Sequence, residues 1–93
     1  MKSILNREIC RNKLVSGNVY VIKLGWDHNV TWVVKFICVR AGKMITSDSY
    51  SIQMDGSHYY YSDESAFTTM ESIISITKNM KLIRKYFPNY EKL

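Results

Sequence analysis

Val19-Tyr20-Val21-Ile22-Lys23-Leu24 is dense in β-branched and aromatic residues, which pack well on a pleated surface, so a first strand is predicted there. Ser16-Gly17-Asn18 ahead of it marks a turn, and Gly25-Trp26-Asp27-His28-Asn29 behind it supplies a connection. Thr31 to Arg40 reads as a second, longer strand, with Trp32, Val34, Phe36 and Cys38 on one face and Val33, Ile37 and Val39 on the other. Both faces are apolar except at Lys35, the pattern of a strand covered on both sides at the centre of a sheet or in the wall of a curled barrel. After a turn at Ala41-Gly42-Lys43, Met44, Thr46, Tyr50, Ile52 and Met54 alternate with Ile45, Ser47, Ser49, Ser51 and Gln53. This predicts a half-exposed strand at a sheet edge. Asp55-Gly56 is the strongest hairpin signal in the chain, and His58-Tyr59-Tyr60-Tyr61 returns from it as a fourth strand.

The period changes in the final third. Ile73, Ile76, Met80, Ile83 and Phe87 recur at three- and four-residue steps, which places them on one face of a helix. Thr68-Thr69-Met70-Glu71 reads as the capping box that opens it, and Pro88 as its stop. On that helix Lys78, Lys81 and Lys85 form one flank, while Arg84 lies near the apolar centre and has to snorkel. A shorter helix is predicted over Ser3 to Lys13 from the N-cap Ser3 and the pair Leu5 and Ile9. The fold class expected is α+β, a strongly bent antiparallel sheet or small SH3-like barrel of about four strands with a short N-terminal helix and a C-terminal amphipathic helix.

Composition narrows the class. At 93 residues and 10.9 kDa the chain has room for one core, so residues 1–93 are read as a single domain. With 46% apolar and 23% charged residues, disorder and fibre are excluded. The net charge is +5 and the sequence pI about 9.3. Lys2, Arg7, Arg11 and Lys13 against Glu8 put residues 1–13 at +3, and the five basic residues after Thr77 against Glu91 put residues 78–93 at +4. The stretch between them is at −2. Basic ends favour an anionic partner, with ordinary solubilising charge as the alternative. Two cysteines are too few for a disulfide framework and suit a reducing compartment. Asn6, Arg7 and Glu8 interrupt any leader-like apolar run, and no stretch is long and apolar enough to span a membrane. The expectation is a protein of the host-cell cytoplasm without a membrane partner.

No phosphate loop, dinucleotide fingerprint, nucleophile elbow or paired Cys-x-x-Cys is present, so neither catalysis nor a cofactor is expected. Cys10, His28, Cys38 and His58 are scattered singly and predict no metal site. Cys38 reads as a small core hydrophobe, and Cys10 has basic neighbours but no histidine beside it. The loop around Trp26 and His28 serves either as a recognition loop or as a plain hairpin turn in which Asp27 and Asn29 satisfy backbone groups. Tyr59 and Tyr61 are candidates for stacking on a base, and strand alternation sends Tyr60 the opposite way. Lys78, Lys81 and Lys85, with Arg11 from the N-terminal cluster, are the candidate phosphate contacts, against their being a solvated helix flank. No helix-turn-helix pair or recognition helix is evident.

Gly17-Asn18-Val19-Tyr20-Val21-Ile22 and Thr31-Trp32-Val33-Val34-Lys35-Phe36 resemble small accessory proteins of bacteriophages, in which a short SH3-like or otherwise curled barrel is closed by a terminal helix. The resemblance implies a non-enzymatic protein that binds and blocks a host defence or transcription component, or sequesters a nucleotide signal. The expected function is therefore a counter-defence inhibitor that binds a nucleotide or nucleic acid. The alternative is a protein–protein inhibitor docking on an acidic host protein through a sheet edge or the helix. A homodimer is compatible with so small a core.

Overall fold

The computed structural model describes residues 9–90, with the backbone alone for His28. Six strands, β1 (Val19–Leu24), β2 (Asp27–Arg40), β3 (Lys43–Ile52), β4 (His58–Tyr61), β5 (Ser65–Thr69) and β6 (Ile73–Thr77), precede one short helix, α1 (Met80–Tyr86). They form a single antiparallel sheet in the order β4-β3-β2-β1-β6, with β5 also paired to β3. The α+β outline holds, but the described residues form six strands rather than about four, and no ladder joins β5 to β6 to close a barrel.

The two-sided pattern of β2 is realised over Trp32–Phe36 but not beyond, where Val39 is 47% exposed. Val34 and Phe36 join Tyr20, Ile22, Leu24, Met44, Ile73 and Ile76 in one buried cluster, and Trp32 packs against it. Val33, from the other face, joins Val19, Val21, Met80 and Ile83. α1 covers this second face. The first is closed by Ile9, Leu14, Phe67 and Met70, so the sheet curls over itself there, with β5 and the 3-10 turn Met70–Ser72 as its lid.

The helix predicted from Thr68 onward is overturned in its first half. Residues Ser65–Thr69 and Ile73–Thr77 are strands, and the helix begins only at Met80, where the Asn79 side chain accepts from the Leu82 N–H. The helical spacing of Ile73 and Ile76 comes from a β-bulge. Register on β1 passes from Lys23↔Ser75 to Leu24↔Ile73, leaving Ile74 as the extra, exposed residue, so two core positions fall three residues apart. Thr68, the expected cap, lies inside β5 opposite Met44, and Thr69, which precedes the 3-10 turn, makes no capping bond; its hydroxyl lies 2.8 Å from that of Ser72. Pro88 does stop α1, because the residue before a proline is driven from the helical region, as Phe87 is (φ −126°, ψ 72°).

The N-terminal helix is also corrected where the chain is described. Ile9 pairs with β6 through its N–H to the Ile76 carbonyl, Cys10 is extended, and Arg11–Lys13 make only a 3-10 turn. Ser3 and Leu5 lie outside the described residues.

Nor is β3 an edge. It pairs β2 on one side and both β4 and β5 on the other, and Ser49 and Ser51 are buried. The sheet order ends on β4 at one side and on β6 at the other. Asp48 sits in β3 with φ 49°, at a bulge where the register jumps from Lys35↔Ser47 to Val33↔Tyr50. The jump switches faces: Met44 belongs to the first core cluster, whereas Tyr50 and Ile52 pack against the second.

The Asp55-Gly56 hairpin forms as predicted. Gly56 takes φ 89°, and the Asp55 carboxylate accepts from both the N–H and the hydroxyl of Ser57. Those bonds, the hydroxyl's first, hold the Asp55 carboxyl below its usual pKa.

Candidate functional site

The face switch at Asp48 brings Tyr50 under the end of the chain and creates an aromatic groove of about 670 Å3. Its rings are Tyr50, Tyr60, Tyr86, Phe87 and Tyr90, and its charged groups are Lys35 and Asp48. Tyr50 is the hub, with ring centroids 4.9 Å from Tyr60, 5.0 Å from Tyr86 and 5.5 Å from Phe87. Ile83 and Met80 hold α1 on the sheet and so fix Tyr86 and Phe87. Beyond Pro88 the chain turns, with the Tyr90 N–H donating to the Phe87 carbonyl, and the Tyr90 hydroxyl accepts from the Val19 N–H at 3.0 Å. Burial raises the Tyr90 phenol pKa, against the lowering effect of that bond. Tyr60 donates to Asp48 Oδ1 at 2.7 Å, which raises its phenol pKa.

On the opposite face of β3 and β4 lies a smaller crevice of about 200 Å3, lined by Trp32, Tyr61 and Phe67 with Asp63, Thr46 and Ser49 among its polar groups. Trp32 is 4.9 Å from Phe67 and 5.9 Å from Tyr61, centroid to centroid. Ser49 donates to the Thr46 hydroxyl, but the Trp32 indole N–H is buried with no partner among the described residues.

Charge differs sharply across the molecule. Residues 44–77 carry Asp48, Asp55, Asp63, Glu64 and Glu71 and no Lys or Arg. Lys81, Arg84 and Lys85 on α1 are exposed.

The sequence-predicted residues are dispersed among these places. Tyr59, Tyr60 and Tyr61 are all about half exposed (57, 52 and 48%), so no face of that run is core. Tyr60 enters the groove and Tyr61 the crevice, as the alternation requires. Lys85 stands beside the groove, its ammonium 5.7 Å from the Tyr86 ring. Lys78 precedes the N-cap and instead approaches the ring of Tyr20, which belongs to the other core face. The single flank of Lys78, Lys81 and Lys85 is thus not formed. Arg11 donates to the carbonyls of Met70 and Ile73 and so ties down the 3-10 turn. Trp26 is 65% exposed in the Gly25-Trp26 turn between β1 and β2 and lines neither cavity. The side chain of His28 lies outside the described residues. Cys10 is exposed and Cys38 half-buried, 3.9 Å from the Arg40 guanidinium.

Lys35, Asp48, Tyr50, Tyr86, Phe87 and Tyr90 were not evident as site residues from sequence. The available signal was the aromatic density of Tyr86-Phe87-Pro88-Asn89-Tyr90 around the chain's single proline.

Among the described residues no three His, Cys, Asp or Glu side chains converge to hold a metal ion, and no helix is long and apolar enough to cross a membrane. No family model, curated protein or solved structure matches the chain.

Proposed function

We propose that the protein is a non-catalytic binding protein whose aromatic groove holds an anionic ligand bearing flat rings, a nucleotide or a single-stranded nucleic acid. The observation that carries this reading is a groove with five rings, Lys35 inside it and Lys85 at its border. Aromatic rings stack on any base, for about 1–3 kcal/mol per base, and ammonium groups neutralise phosphate. The Tyr50 hub holds its ring partners at different tilts, so the groove offers ring faces and edges in several directions to a base. Holding such a ligand away from a host pathway is the inhibitory role that the likeness to phage accessory proteins implies.

Calorimetric titration of the purified protein with guanosine and adenosine 5′-monophosphates and with a short single-stranded oligonucleotide tests the reading. Binding is expected with at least one of these probes. Lys35→Glu should weaken it by about tenfold or more and reduce the slope of log K against log salt by roughly one. Failure of all three probes, or indifference to Lys35→Glu, overturns the proposal. In that event β4 is the place to look for a protein partner, because it is an edge strand with all four residues exposed, the geometry of docking by strand addition.

A further inference from the structure

We infer that the crevice between β4 and β5 is a second, separate binding site, for a small organic cation of the trimethylammonium class. Three electron-rich rings, Trp32, Tyr61 and Phe67, line it. Phe67 meets the indole edge-on, at 62°, while Tyr61 is tilted by 33°. The rings therefore stand as walls at different angles, each offering part of a negative π-face, the arrangement that holds a quaternary ammonium group. About 200 Å3 is roughly the share of seven water molecules, room for one compact head and little more.

Charge points the same way. Asp63 lines the crevice, Glu64 follows it, and the chain from residue 44 to residue 77 holds no Lys or Arg. In a protein of net charge +5 this is the region that attracts a cation. Trp32 offers the crevice its ring and not its N–H, which is buried with no partner among the described residues.

The test uses the Trp26→Phe protein, in which Trp32 is the sole tryptophan, and follows its fluorescence. Choline chloride is titrated against 3,3-dimethylbutan-1-ol, a neutral molecule of the same shape, at ionic strength matched with sodium chloride. Saturable quenching or a spectral shift is expected with choline, at least about fivefold tighter than any response to the alcohol. Tyr61→Leu and Asp63→Asn should each weaken choline binding by about threefold or more, with the thermal midpoint unchanged because both residues are exposed. Equal binding of the two probes would make the crevice merely apolar and overturn the inference. So would absence of a choline response, or a response that ignores both substitutions. Cosedimentation with phosphatidylcholine vesicles, set beside the titration, distinguishes a lipid headgroup from a free small molecule as the source of the cation. Lys35→Glu, which disables the groove, should leave choline binding intact, so this site and the groove fail independently.

Discussion

The groove and the crevice are built from the same two strands and differ in almost everything else. β3 and β4 give Tyr50 and Tyr60 to one, and Ser49 and Tyr61 to the other, because neighbouring residues of a strand face opposite ways. What separates them chemically is the third wall. The groove is completed by the end of the chain, where α1 exposes Lys81, Arg84 and Lys85. The crevice is completed by the connection from Tyr61 to Phe67, which carries Asp63 and Glu64. A run of identical aromatic residues thus lines two cavities with different charged surroundings. Under the two proposals the rings are the common surface, and the charged neighbours decide the sign of the ligand.

The largest expected effect comes from removing the anchor of only one of these walls. Ile83 is fully buried beneath α1, and Ile83→Ala should cost about 2–4 kcal/mol in a denaturant melt. The loss should not be uniform. Hydrogen exchange should rise first in Met80–Tyr86, with β3 and β5 remaining protected under conditions where the protein is still folded. Equal loosening of both regions would show that groove and crevice are one cooperative unit.

Asp48 is the point where the faces diverge, and its effect should be smaller. A β-branched residue at φ 49° is strained, so Asp48→Val should destabilise by about 1–2 kcal/mol, and Asp48→Gly by clearly less. If the two variants melt alike, the left-handed backbone at the bulge is not what sustains the switch.

The sequence made the strands of the first half legible because their signals are local. Val19–Leu24 announces itself by β-branched density and Asp55-Gly56 by turn chemistry. The helix failed for a different reason. A bulge at Ile74 gave Ile73 and Ile76 a helical interval, although Ile73-Ile74-Ser75-Ile76-Thr77 has the β-branched content of a strand. β5 is polar or exposed along most of its length and lacks the alternation that would have revealed it. The groove was illegible because two distant events make it, the face switch at Asp48 and the docking of the Tyr90 hydroxyl on Val19. Neither leaves a pattern in the chain. The alternation of Tyr59-Tyr60-Tyr61, by contrast, already divided the aromatics between two faces.

Tyr90→Phe tests that docking at a cost of about 1 kcal/mol, since the Val19 N–H loses its acceptor while the ring remains. The pH dependence follows from the raised phenol. Folding favours the neutral form, so this contribution is complete below the ordinary tyrosine value near 10 and disappears as pH rises through the higher folded value. Thermal midpoints measured from pH 8 to 11.5 should therefore fall less steeply above pH 10 in Tyr90→Phe than in the parent protein.

The smallest effect on stability is expected from Tyr60→Phe, yet it separates two uses of one side chain. Tyr60 is exposed, and its hydroxyl serves Asp48 while its ring serves the groove. The substitution should leave the melt nearly unchanged and keep most nucleotide binding, whereas Tyr60→Ala should reduce that binding by about fivefold or more. The hydroxyl has its own readout. The carboxylate holds the phenolic proton, so Tyr60 should ionise above the usual value in ultraviolet titration. In Asp48→Asn the full negative charge is gone, and that ionisation should move down toward the ordinary range. An unmoved titration would mean that Tyr60 and Asp48 do not meet in solution. The groove would then have a free carboxylate beside Lys35, which would weaken its preference for anions relative to the crevice's preference for cations.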